Sequence, residues 1–268
     1  MLLENKNAII YGASASLGGA IAKAFAKQGA RVFLSNHKLE TVQQLANEIN
    51  AAGGKAEAGQ LDAMNAKAIE EYLEAIILKA GRIDISLNVV GLQAVQDSPL
   101  VNMRLDDFIR PVMIAMQTHF LTSTAAGRLM SQQGSGVILS LTATPGGIAY
   151  PMVGGFGPAC CAIESFSKNL AAELGPYGVR VVNIRSAGSP DSRPFAEAIA
   201  TKPEIMEGVL KEMKNDTMLK ELPAMEDIAN AAVFLSSAMA GKITGTTLDI
   251  TAGTVDALSY KTVAMPVK

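Results

Sequence analysis

The sequence predicts one doubly wound α/β domain, a parallel sheet of about seven strands with helices on both faces. Three observations point to it. Short apolar runs alternate with helical stretches from the first residues to the last. A turn of small residues, Gly12-Ala-Ser-Ala-Ser-Leu-Gly18, joins the first apolar run to the first helix. Hydrophobic residues make up 49% of the 268 residues and charged ones 18%, enough to cover both faces of a sheet.

Residues 7–11 form an apolar run ended by Gly12 and read as a buried strand. Residues 17–28 are Ala-rich, with Ile21, Ala24 and Phe25 on one stripe, and read as a helix stopped by Gly29. A strand at 31–35 follows, then a helix at 39–52 with Leu45 and Ile49 inward and Gly53-Gly54 at its end. The next strand is 55–61, the next helix 65–79, and the fourth strand 83–89, closed by Gly91. Residues 105–130 are helical, with a break or kink expected at Pro111, which lacks the N–H a helix interior needs. A fifth strand at 136–141, a helix at 156–174 and a sixth strand at 179–184 come next. With Pro190, Pro194 and Pro203, residues 186–216 are expected to be the least regular part. A last helix at 226–237 and a last strand at 246–251 complete the pattern. No repeat or change of composition divides the chain, so 1–268 is expected to be one domain.

A formal net charge of −2 gives no electrostatic footprint for nucleic acid and no basic face for a membrane. No apolar run is long enough to span a bilayer, and structure is expected from about Asn5 with no leader segment before it, so a cytoplasmic location is expected. Cys160 and Cys161 are adjacent, a spacing that rarely permits a disulfide. No metal site is expected.

The Gly12–Gly18 turn lets backbone N–H groups and a helix dipole approach a diphosphate. The end of the second strand then distinguishes nicotinamide cofactors. A carboxylate there would accept the ribose 2′-hydroxyl and favour NAD. This chain has Ser35-Asn-His-Lys38, with no carboxylate before Glu40. Asn36, His37 and Lys38 suit a 2′-phosphate, so NADP(H) is favoured over NAD(H), although a solvated His-Lys pair at a helix start is common.

These segments together resemble the short-chain dehydrogenase/reductase family over nearly the whole chain. Gly12-x-x-x-Ser16-x-Gly18 stands for its Gly-x-x-x-Gly-x-Gly turn, with Ser for the middle Gly. Asp62 matches an Asp beside the adenine, and Asn88-Val-Val-Gly91 matches the family's Asn-Asn-Ala-Gly motif. The run from Gly175 to Asn183, then Ala187-Gly188, matches the approach to its Pro-Gly turn, and Ser192 falls at a Thr that meets the nicotinamide carboxamide. The resemblance implies a Rossmann-type fold. Its candidate cofactor ligands are Gly12, Ser14, Ser16, Leu17, Gly18, Asn36, His37, Lys38, Asp62, Asn88, Gly91, Gly188 and Ser192.

The family's chemistry uses a helix Asn, a Ser, a Tyr and a Lys four residues after the Tyr. Tyr protonates the substrate oxygen, Lys lowers the Tyr pKa and holds the ribose, and Ser orients the carbonyl. The family's spacing puts Ala115, Ala143, Phe156 and Cys160 at these positions. Losing the Lys removes a charge-assisted bond worth about 1.5–3 kcal/mol. Candidates for other proton-handling groups are Tyr150, in the loop before Phe156, Thr142 beside Ala143, and His119, one helical turn after Ala115. A surface Tyr150 and a satisfied buried His119 are the plainer readings. Gln93 and Gln96 are further substrate-side candidates.

Residues 188–218 correspond to the family's substrate lid and carry Phe195, Ile199, Ile205, Met206 and Leu210 at loose helical spacing, with Met213 and Met218 beyond. Facing Met152, Val153 and Phe156, they are expected to enclose an apolar pocket. The leading expectation is an NADP(H)-binding oxidoreductase that reduces an apolar or conjugated carbonyl-type compound by a non-standard proton route. A lyase, isomerase or cyclase on the same fold, or a catalytically inactive regulatory subunit, are the alternatives. The resemblance also implies a homodimer or homotetramer built on the helices at 105–130 and 156–174.

Overall fold

Strand residues alternate between two cores, and this alternation sets the layers. In β1 (Asn7–Tyr11), Ala8 and Ile10 join one cluster and Ile9 and Tyr11 the other. The computed structural model describes residues 1–14 and 16–257, so the last eleven residues of the expected domain lie outside it. Within the described residues the other strands are β2 (Arg31–Asn36), β3 (Lys55–Gln60), β4 (Ile85–Asn88), β5 (Gly136–Ala143), β6 (Val179–Ser186) and β7 (Thr246–Ile250). They form one sheet in the order β3-β2-β1-β4-β5-β6-β7, and every neighbouring pair is parallel. The expected doubly wound, Rossmann-type fold is what forms.

One core packs α1 (Leu17–Lys27), α2 (Leu39–Ala51) and, after a long excursion, α8 (Met225–Ser236) on the sheet through Ile21, Phe25, Leu45, Ile49, Ile228 and Leu235. The other packs α3 (Ala66–Ala80), α4 (Leu105–Gln133) and α5 (Phe156–Leu174) through Ile69, Leu73, Ala126, Met130 and Leu170. Each fully buried Phe or Ile contributes about 1.5–3 kcal/mol relative to exposure. Helix ends follow local chemistry. Asn65 Oδ1 accepts the Ala68 N–H at 3.1 Å to start α3, and Gly81, with φ 77°, ends it.

Three expectations change. Strands β5 and β6 run two residues further than the apolar pattern, because Thr142 pairs in register with Arg185 and Ala143 with Ser186. The polar side chains at those strand ends are satisfied inside the protein, so polarity there does not mark a loop. Residues 186–216 are not irregular: they hold α6 (Arg193–Thr201) and α7 (Pro203–Asn215), whose residues are not buried. Pro194 and Pro203 lie in the first turns, where a missing N–H costs nothing. Helix α4 continues through Pro111. Seven residues from the helix start, the proline removes the single bond to the Asp107 carbonyl, and the rest of the ladder holds. A short α9 (Thr254–Ala257) follows β7.

The turn after β1 passes close to the chain leaving β4. Gly12 has φ +76°, and a Cβ there would lie 2.6 Å from Val90 Cα on the chain leaving β4. Gly12→Ala therefore combines backbone strain with a backbone clash. It should lower stability in urea unfolding by about 2–3 kcal/mol or more; an unchanged midpoint would contradict this packing.

Candidate functional site

The carboxyl ends of the strands bring the candidate residues together. The Gly12 and Ala13 N–H groups bond the Ser35 carbonyl at 2.9 and 3.1 Å, which fixes the turn against β2. The Ser16 carbonyl takes the N–H groups of Gly19 and Ala20, and Leu17 and Gly18 form the first turn of α1. Backbone N–H groups at the positive end of a helix suit a diphosphate. Ser14 Oγ lies 3.5 Å from the Ser16 nitrogen. The Ser16 hydroxyl does not cap α1; it accepts the Arg193 N–H at 3.3 Å and lies 3.9 Å from Met225 Sδ. This serine ties the turn to the first lid helix.

Beside the turn a cleft of about 590 Å³ is lined by Gly12, Asn36, His37, Asp62, Val90 and Gly91, among others. Asn36 is largely occupied: its Nδ2 donates to the Ala13 carbonyl at 2.8 Å, and its Oδ1 accepts the Lys38 N–H at 3.1 Å. His37 is exposed and lines the cleft, whereas the exposed Lys38 does not. Asp62 Oδ1 accepts the Met64 N–H at 2.9 Å, which shapes the loop after β3. Asn88 is buried, donating to Thr122 Oγ1 at 3.1 Å and accepting the Val90 N–H at 3.0 Å. Rather than reaching out as a ligand, it shapes the turn that does. Gly188 lies under the lid, where Phe195 and Met213 close on it. Ser192 is the N-cap position of α6 and makes no side-chain cap bond there. The neighbouring Ser189 has a buried hydroxyl without a protein partner.

On the other side of the sheet's midpoint lie the residues that the family's spacing singled out: Ala143 ends β5, Ala115 is buried in α4, and Phe156 and the buried Cys160 lie in the first turns of α5. Burial pushes the Cys160 thiol up to about 11, so it is protonated at neutral pH. Thr142 is turned into the protein: its hydroxyl donates to Glu164 Oε1 at 2.9 Å and accepts from Asn183 Nδ2 at 2.7 Å. Burial lowers His119 to about 4, against the hydrogen bond of its Nδ1 with the Ala115 carbonyl at 2.9 Å, and its Nε2 has no partner. A neutral, enclosed imidazole is a poor acid near pH 7, so the packing reading of His119 replaces the catalytic one. Thr142 is corrected for the same reason, its proton being committed to Glu164.

Tyr150 is half-exposed and lines a pocket of about 500 Å³ with Leu100, Gly146, Met152, Val153 and Cys161. Neither Phe156 nor a lid residue lines it. The expected apolar pocket therefore lies on the face of α5 that carries Gly157 and Cys161, next to the face of Phe156 and Cys160, because the lid helices close on Gly188 instead.

A family profile described as "Enoyl-(Acyl carrier protein) reductase" matches residues 12–254. The chain belongs to the short-chain dehydrogenase/reductase family. A 3alpha-hydroxysteroid dehydrogenase of Mediterraneibacter gnavus is 30% identical over 252 residues, covering 93% of this chain and 97% of that protein. NAD+-bound xylitol dehydrogenase superposes with a TM-score of 0.87 at 21% identity, over 94% of this chain and 100% of that one. A gluconate 5-dehydrogenase from Burkholderia cenocepacia, in complex with NADP and tartrate, gives 0.84 at 20%, over 94% and 96%. The chain is thus a short-chain dehydrogenase/reductase oxidoreductase by descent. A nicotinamide dinucleotide fits the residues present, since a Cβ would fill the cradle at Gly12 and the turn leads directly into the N-terminus of α1 at Leu17 and Gly18.

Sequence reasoning missed the charged side chains that lie across the ends of β6 and β7 and on α5. Arg185 bonds Glu164 through Nε at 3.0 Å and Nη2 at 2.5 Å, and Asp249 through Nη1 at 2.7 Å. Burial opposes the Arg185 charge, but Glu164 and then Asp249 outweigh it and hold the guanidinium above its usual range. Polar residues, Arg180, Asn183 and Arg185, within the strand run Val179-Arg-Val-Val-Asn-Ile-Arg185 were the available signal. Among the described residues no cluster of His, Cys, Asp and Glu is arranged to hold a metal, and no helix is long and apolar enough to cross a membrane.

The buried His119 gives a pH prediction. Its folded pKa lies below the ordinary 6.5, so protons bind the unfolded chain preferentially. Stability is full above about pH 6.5 and falls as pH drops toward 4, by roughly 3 kcal/mol in all. Urea unfolding of His119→Leu between these limits should show a flatter acid limb than the parent; parallel curves would contradict the assignment. Thiol chemistry gives a second prediction. Cys160 is fully buried and Cys161 exposed, so iodoacetamide at neutral pH should label Cys161 far ahead of Cys160. Equal labelling would contradict the placement of α5.

Proposed function

We propose that this short-chain dehydrogenase/reductase binds NADP(H) and reduces an apolar or conjugated carbonyl-type compound, taking its proton from water. What carries the reading is a contrast along the chain: a Gly12–Gly18 turn suited to a diphosphate, and Ala115, Ala143, Phe156 and Cys160 at the positions where the family's spacing would put its Asn, Ser, Tyr and Lys. Bound nicotinamide dinucleotide supplies a hydride. The chain's own residues hold the diphosphate at Leu17 and Gly18, present apolar walls to the substrate, and limit water to the open side. Addition to an activated C=C or C=N bond asks little of a placed acid, because charge develops where solvent can meet it. Of the three proton-donor candidates, Tyr150 alone lines a pocket, on the wall it shares with Cys161.

NADP(H) is favoured because β2 ends without a carboxylate and His37 faces the cleft with Lys38 beside it. Assembly as a homodimer or homotetramer is supported by Leu105, Ile109, Met113 and Phe120, exposed along α4. A cytoplasmic, small-molecule enzyme is the setting we propose for it.

Calorimetry with NADPH and NADH tests this reading. NADPH should bind about tenfold or more tightly than NADH, since charge-assisted bonds to the 2′-phosphate are worth 1.5–3 kcal/mol. A His37→Ala/Lys38→Ala variant should erase most of that preference. No binding at millimolar NADPH or NADH would sink the proposal.

A further inference from the structure

Thr142, Arg185 and Asp249 stand side by side across β5, β6 and β7, since Thr142 pairs with Arg185 and Arg185 with Asp249. Helix α5 lays Glu164 over this row, one helical turn beyond Cys160, and the carboxylate meets both nitrogens of the Arg185 fork as well as the Thr142 hydroxyl. Side chains of Glu164 and Arg185 are 8% and 11% exposed, so this is an enclosed pair. The turn that follows β5 rests directly on it. A Cβ at Gly146 would overlap Glu164 Oε1, and one at Gly147 would lie 2.7 Å from Arg185 Nη1. That turn is also a wall of the apolar pocket, where Cys161 Sγ lies 3.6 Å from the Gly146 carbonyl oxygen.

We infer that Glu164 and Arg185 are positioning residues: their buried, forked ion pair carries the Gly146–Gly147 turn and so sets the wall of the pocket beside the reacting corner. The inference deepens the proposed function and rests on it for the occupant of that pocket, an apolar substrate. A buried ion pair is weak evidence for stability, because removing both charges from water costs about as much as their attraction returns. Well-packed apolar residues would hold helix to sheet as firmly. What the pair adds is direction. A two-pronged guanidinium–carboxylate contact permits one relative placement of α5 and β6, where Ala143, Phe156 and Cys160 offer no comparable contact. The two glycines let the turn take its shape from the pair beneath it.

The test compares the parent with Glu164→Gln, Glu164→Leu/Arg185→Met and Gly146→Ala. Three readouts are used: thermal midpoint, NADPH affinity and the iodoacetamide labelling rate of Cys161. Removing one charge strands the other, so Glu164→Gln should melt earlier. The apolar double variant should melt close to the parent yet label Cys161 about tenfold faster, because its wall opens locally. NADPH affinity should stay within about twofold of the parent, since the cradle lies at the ends of β1 and β4. Gly146→Ala, which presses on the pair from the turn side, should raise labelling in the same way and covers the case of a double variant that fails to fold. Parent-like labelling in every folded variant would overturn the inference and leave the pair a packing feature. Absence of NADPH binding in the parent would instead overturn the functional reading, with the labelling result still deciding the role of the pair.

Discussion

The reversal of strand order beside β1 is the constraint on which the rest depends. From β1 the chain winds outward through β2 to β3, then crosses back to lay β4 against β1's other edge. The connections leave the two strands toward opposite faces, which opens a crevice at their carboxyl ends. Gly12 and Asn88 end the two strands that flank it. The crevice is narrow enough that residue 12 has no room for a Cβ and positive enough, through α1, to prefer an anion. Asn88 contributes from inside, holding Val90 in place rather than touching a ligand.

The other half of the site is organised by a different interaction. The polar and charged side chains at the ends of β5 and β6 are turned inward. Thr142 gives its proton to Glu164, and Glu164 is held by Arg185. The corner thus invests its strongest directional bonds in fixing backbone shape. The proposed function accordingly has substrates told apart by fit and dehydration more than by donated protons. The apolar pocket next to it, with Leu100, Met152 and Val153 on its walls, is in keeping with that.

Much of this was legible in the sequence. The sheet, the helices on both faces and the turn at Gly12 follow from periodicity and glycine placement, which are local signals. Spacing also singled out residues 115, 143, 156 and 160, on which the proposed proton route rests. What could not be read depends on contacts between distant segments. Arg185 is separated from Glu164 by twenty-one residues and from Asp249 by sixty-four, and only the sheet brings them together. The same holds for Ser16, whose hydroxyl finds Arg193 rather than helix α1. Prolines misled in the lid and at residue 111 because their effect depends on position within a helix. His119 and Thr142 looked available from their spacing, but burial decided otherwise.

Central to the proposed function is a dinucleotide cradle kept at Gly12–Gly18 with no placed acid facing the nicotinamide. A structure determined with NADPH bound tests this most directly. The account predicts the diphosphate at the N–H groups of Leu17 and Gly18, and no Tyr, His, Lys, Asp or Glu side chain within about 3.5 Å of the space facing the nicotinamide C4. A dinucleotide bound elsewhere, or the Tyr150 hydroxyl standing at that position, would contradict it.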